Sequence, residues 1–102
     1  MGRQMPEPVT LINAFEVPAA GAADFIAAWE RTRDYLQQQP GYIDTALQQA
    51  FAPDAEFQFV NVAHWATAED FTKALQSPGF REVAVGLAQY PSHPSLYRTV
   101  RT

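Results

Sequence analysis

A chain of 102 residues, 47% hydrophobic and 13% aromatic, has enough apolar material for one folded domain and too little length for two. Its formal charge of -4, with Lys73 as its lysine and arginines scattered from Arg3 to Arg101, gives no basic stripe to neutralise phosphates and disfavours a nucleic-acid partner. The absence of cysteine excludes disulfides, thiolate metal centres and a thiol nucleophile, and no run approaches the roughly 18 apolar residues of a membrane-spanning helix.

Residues 1–8 (MGRQMPEP) are polar, carry Pro6 and Pro8, and contain no apolar signal core. They are expected to form a flexible leader ahead of a domain at 9–102, in a cytoplasmic protein. Val9 to Val17 (VTLINAFEV) is rich in β-branched and apolar residues and predicts a strand, closed by Pro18 and Gly21. Residues 22–39 have helical spacing: Phe25, Ile26, Trp29, Thr32 or Arg33, and Leu36 fall on one stripe, and Pro40-Gly41 ends the helix. A second strand is expected over 42–51 and a third over 56–65, with Pro53-Asp54 in the turn between them. Thr67 is placed to cap a helix running to about Gln76, with Asp70 in the capping-box position. Ser77-Pro78-Gly79 breaks that helix, and a short second one follows at 78–87. Residues 88–94, with Pro91 and Pro94, read as loop, and Leu96 to Val100 as the last strand. The order β-α-β-β-α-β is that of an α+β domain of ferredoxin-like topology, a four-stranded antiparallel sheet with its helices on one face.

Alternation along the strands sorts their faces. Phe57, Phe59, Asn61, Ala63 and Trp65 share one side of the third strand, and Val9, Leu11, Asn13, Phe15 and Val17 one side of the first. The aromatic-rich sides should meet the helices, which puts Asn13, Asn61 and Trp65 between sheet and helices. Polar groups in such a layer cost about 1–3 kcal/mol each if unpaired. They are therefore expected to be bonded to protein or to line a ligand cavity. The opposite face should be polar, yet it carries Ile12, Val60 and Val62. A homodimer formed through this open face of the sheet would explain them, and would offset the cost of a cavity in so small a core.

Four stretches together resemble a known family. FVNVAHWATAEDF (Phe59 to Phe71) is similar to the signature of the antibiotic biosynthesis monooxygenase superfamily, with an N-x-x-x-W run where a strand enters a helix. INAFEVPAAG (Ile12 to Gly21), QPGYID (Gln39 to Asp44) and SPGFRE (Ser77 to Glu82) resemble that family's first strand, helix exit and broken second helix, so that the resemblance covers about residues 9–101. It implies a dimeric α+β barrel. It also implies a cofactor-independent monooxygenase that oxidises a small phenol-, anthrone- or quinol-type aromatic with O2 as co-substrate. Asn61 and Trp65 would then be the catalytic residues, and Asn13, Phe71 and Phe59 would contact substrate. At Phe71 one branch of the family carries a tyrosine. A haem-degrading branch uses an axial histidine where this chain has Ala84, which disfavours haem. The alternative of another class is a non-catalytic dimer that binds a small molecule in the same cavity.

Other residues invite chemistry less directly. His64 lies on the opposite strand face from Trp65 and should face a partner subunit, and His93 lies in a proline-flanked loop that could reach the cavity mouth. Asp44 would be a general base if it pointed inward, and otherwise is expected to be exposed or paired, for example with Arg98. No histidine or carboxylate spacing suits a metal, and no glycine-rich phosphate loop is present, so no bound cofactor is expected.

Overall fold

A computed structural model describes residues 7–102; the leader expected at 1–8 lies almost wholly outside the described residues. The elements are β1 (Val9–Phe15), α1 (Ala22–Leu36), β2 (Tyr42–Gln49), β3 (Phe59–Trp65), α2 (Ala68–Leu75), α3 (Phe80–Val83) and β4 (Ser92–Tyr97), with single 3-10 turns at Ala19–Gly21 and Leu87–Gln89. The four strands form one antiparallel sheet in the order β2-β3-β1-β4. This is the expected ferredoxin-like α+β arrangement, with the second helical segment broken at Ser77-Pro78-Gly79.

The two inward aromatic rows account for the core. Phe15 and Phe59 of the sheet, with Val17 just beyond β1, meet Phe25 and Trp29 of α1, and Phe25 is fully buried. Phe25 stacks on Phe59 and meets Phe15 edge-on, each at 4.8 Å between ring centres. Burying each such ring stabilises the fold by roughly 1.5–3 kcal/mol. A second cluster joins Leu11, Ala63 and Trp65 to Ala74 of α2, so α1 and α2 cover the same face of the sheet. Thr67 caps α2 as expected, its hydroxyl accepting the Asp70 N–H at 2.9 Å. Gly41 permits the sharp entry into β2: its φ is +90°, and a Cβ there would lie 2.4 Å from Asp70.

Three sequence expectations are corrected. The last strand is Ser92–Tyr97 rather than 96–100, and includes Pro94. β4 pairs only with β1 and forms the sheet edge, where a residue without an N–H is tolerated. The third strand starts at Phe59, not at residue 56, because the Gln58 side chain turns back to donate to the carbonyls of Ala52, Pro53 and Ala55 and holds the preceding segment as a loop. Finally, β2 carries an irregularity at its start. Tyr42 pairs with Trp65 but Asp44 pairs with His64, so Ile43 is an extra residue in the β2 ladder. Tyr42 and Asp44, which strict alternation puts on one face, lie on opposite faces.

Candidate functional site

Between the sheet and α1–α3 lies a cavity of about 170 Å³. Asn13, Asn61 and Trp65 line it, as the strand alternation predicts, and so does Phe71 of α2. Phe59 does not: it is 2% exposed and is spent on the stack with Phe25. The ring of Phe71 instead packs edge-on to Trp65 at 5.7 Å, as does Tyr42 from the other side at 5.6 Å. Trp65 is therefore clamped, and is itself only 1% exposed.

Asn61 is held by two donors. The Trp29 indole N–H reaches its Oδ1 at 3.1 Å, and the Thr45 hydroxyl reaches the same atom at 2.8 Å. An indole nitrogen can only donate, so the atom facing it must be the amide oxygen, and the orientation of the carboxamide is chemically decided. The NH2 group consequently points the other way, toward the cavity that Asn61 lines. Asn13 stands directly opposite Asn61 in the β1–β3 ladder. Its own Oδ1 accepts the backbone N–H of His93 at 3.0 Å, across the β1–β4 edge. Both amide oxygens are thus engaged, and both amide NH2 groups are left to the cavity. Among the described residues no buried side-chain nitrogen or oxygen is without a partner. Trp65 lines the same cavity, and among the described residues its indole N–H meets no protein acceptor.

The rest of the wall is apolar or donating. Trp29, Thr32, Arg33, Tyr42 and Thr45 line the cavity although sequence patterning did not single them out as site residues. Trp29 and Thr32 or Arg33 were legible only as one helical stripe, and Thr45 and Tyr42 were hidden by the irregularity at Ile43. Thr32 is buried and spends its hydroxyl on the carbonyls of Ala28 and Val83, tying α1 to α3. Arg33 lays its guanidinium over the Trp29 ring, 5.2 Å from its centre. The Tyr42 hydroxyl is held above the usual tyrosine range, first by burial and then by the Asp44 carboxylate, with Arg33 opposing. It stays protonated at neutral pH and is a donor, not a base.

No carboxylate and no imidazole lines this cavity. Asp44 points outward and pairs with His64 Nδ1 at 2.5 Å, so its partner is His64 and not Arg98. His93 pairs through Nε2 with Glu16 at 2.8 Å on the exposed edge. Its ring does not reach the cavity, but its backbone N–H orients Asn13. Ala84 ends α3 between Phe80 and Leu87, which both line the wall. Among the described residues, no cluster of three or more His, Asp or Glu side chains is placed to hold a metal ion, and no helix is long and apolar enough to cross a membrane.

A four-stranded antiparallel sheet, helices on one face and an aromatic-walled cavity between them define a class of small α+β domains. The chain belongs to the antibiotic biosynthesis monooxygenase family, whose sequence profile matches residues 8–85. It is 34% identical over 82 residues to deoxynogalonate monooxygenase of Streptomyces nogalater; the match takes in 79% of this chain and 66% of that protein, so the chain spans just under two thirds of its relative's length. A crystal structure from Shewanella loihica PV-4, described as that of a candidate monooxygenase, is 43% identical, with a TM-score of 0.85 over 97% of this chain and 100% of that one. SnoaB, a cofactor-independent oxygenase from Streptomyces nogalater, is 29% identical, with a TM-score of 0.81 over 94% of this chain and 96% of its own.

Proposed function

We propose that this protein is a cofactor-independent monooxygenase that converts an electron-rich, acidic aromatic to a quinone with O2. The observation that carries the reading is the pair of opposed carboxamides, Asn13 and Asn61, whose oxygens are engaged and whose N–H groups face an aromatic cavity free of carboxylates. Such a site favours an aromatic bound through an oxygen that carries negative charge. Trp65, clamped by Tyr42 and Phe71, lines the same cavity and carries a further N–H. Names borne by relatives agree with the reading: one is a deoxynogalonate monooxygenase, another a cofactor-independent oxygenase.

The mechanism follows from what the wall holds. No side chain on it is a base at neutral pH, so the substrate must ionise nearly unaided, helped by donors that stabilise its anion. The electron-rich anion passes an electron to O2, and the two radicals combine at carbon to a hydroperoxide. Loss of water then leaves a carbonyl, so that a CH2 group and O2 become C=O and H2O, with every electron drawn from the substrate. The residues hold the anion, orient it and keep water out. Asn61 and Trp65 act at the reacting atoms, Asn13 assists, and Phe71 packs on the substrate.

Oxygen uptake with a panel of anthrones and hydroquinones tests this. Native protein should consume O2 above the buffer rate, and Asn61→Ala and Trp65→Phe should both fall by tenfold or more. No uptake across the panel would move the weight to a small-molecule-binding protein with the same cavity.

The same reading pairs two copies through the open sheet face. Ile12, Val60 and Val62 are half-buried at its centre, and Tyr97 is 51% exposed toward its edge. Val62→Asp should convert a dimer into a monomer in sedimentation equilibrium; a native protein that sediments as a monomer would end this part of the proposal.

A further inference from the structure

Asn61 can serve a substrate anion only while its carboxamide stays fixed with the NH2 group toward the cavity. The Trp29 indole decides which atom is the oxygen, but its bond of 3.1 Å fills only one of the two lone pairs of Oδ1. The Thr45 hydroxyl fills the second, at 2.8 Å, and it comes from β2 rather than α1. A single donor leaves a planar amide free to swing about that bond. Two donors from different elements define its plane. Two bonds on the oxygen also draw electron density from the nitrogen, which makes both N–H groups better donors.

Thr45 reaches this oxygen because of the extra residue in β2. Strict alternation from Tyr42 would put residues 44 and 46 beside it on the inner face and Thr45 on the outer one. The β2 ladder skips Ile43, so the alternation restarts: Thr45 stands opposite Ala63, diagonal to Asn61, and lines the cavity. Extra residues of this kind recur beside active sites, where they re-aim a side chain. The residue directly opposite Asn61 is Leu47, which has no hydrogen bond to offer from its side chain. Thr45 also has the Val62 carbonyl within reach, at 3.2 Å, but Asn61 is the nearer acceptor. Branching at Cβ limits how far the hydroxyl can turn away.

We infer that Thr45 is a positioning residue for the oxidation: its hydroxyl holds the Asn61 carboxamide in the plane that presents NH2 to the substrate oxygen, and the extra residue Ile43 aims it there. The role rests on the reading of the cavity as an oxygenase site, and extends the site to a residue that acts through Asn61 rather than on the substrate.

Two substitutions separate the hydroxyl from the packing of Thr45. Thr45→Val keeps the shape and loses the hydroxyl, whereas Thr45→Ser keeps the hydroxyl and loses a methyl group. With the anthrone and hydroquinone panel, Thr45→Val should lower kcat about tenfold and leave KM within about twofold, because the orientation of Asn61 matters most as charge develops on the substrate. Thr45→Ser should stay within about threefold of native in kcat. The Asn61 amide supplies a readout without turnover. Its NH2 signals in 1H–15N NMR spectra are those that vanish in Asn61→Ala. They should move upfield in nitrogen in Thr45→Val, where the oxygen loses a donor, and stay near their native place in Thr45→Ser. Unmoved Asn61 signals in Thr45→Val, a kcat for that variant within about twofold of native, or a Thr45→Ser variant as slow as Thr45→Val would each overturn the role of the hydroxyl and leave the oxygenase reading standing. If native protein consumes no oxygen with any member of the panel, the oxygenase reading falls, and the role of Thr45 with it.

Discussion

Asn61 is the residue at which donation and structure can be separated by two substitutions. Asn61→Ala removes the acceptor shared by Trp29 and Thr45. Thr45 has a second acceptor, the Val62 carbonyl at 3.2 Å, but Trp29 has none among the described residues. One indole N–H is thus left unpaired, at a cost of about 1–3 kcal/mol. For a domain of this size each kcal/mol lowers Tm by about 4–8 °C, so a fall of roughly 5–20 °C is expected. Asn61→Asp keeps an oxygen facing both donors and should retain more of the stability than the alanine variant. It replaces the NH2 by a second acceptor that repels an anion. If the amide N–H groups hold the substrate oxygen, Asn61→Asp should lower kcat/KM at least a hundredfold, the loss typical of one oxyanion donor. Differential scanning calorimetry and oxygen uptake on the two variants form the assay. An aspartate variant with activity within twofold of native would refute the donor role. An alanine variant with unchanged Tm would refute the account of the Trp29–Asn61 bond.

Other consequences can be checked by simpler means. Gly41→Ala forces a side chain into a backbone of φ +90° and against Asp70, and should destabilise by about 1–3 kcal/mol in urea unfolding. Thr67→Ala removes the cap of α2 and should cost about 1 kcal/mol by the same measurement, whereas Thr67→Ser should restore it. Tyr42 has its folded pKa raised above 10, so the folded state holds a proton that the unfolded state releases. The stability this contributes is complete below about pH 10 and is lost as pH rises through the folded value. Ultraviolet titration should find one late-ionising tyrosine that Tyr42→Phe removes, and a tyrosine set ionising entirely at ordinary pH would contradict the burial of that hydroxyl.

Much of this protein follows from local pattern. Alternation of apolar residues in β1 and β3 is a property of the chain itself, and it set which side chains face the helices: Leu11, Asn13, Phe15, Asn61, Ala63 and Trp65. The Thr67 cap and the Ser77-Pro78-Gly79 break are equally local, since each rests on the hydrogen-bonding or dihedral limits of a few adjacent residues. What only the tertiary structure decided concerns partners far apart in the chain. The extra residue at Ile43 turned Asp44 outward to His64, because the β2 ladder breaks its alternation there. The strand carrying Pro94 became possible only because β4 lies at a sheet edge. Phe59 shares the face of Asn61 but was taken by the core, because Phe25 arrives above it from α1. Trp29 and Asn61 are 32 residues apart, and nothing in either segment announces that the indole fixes the amide. Sequence period determines the direction of a side chain; the packing of α1 on the sheet determines what meets it there, and so which amide hydrogens are left for a ligand.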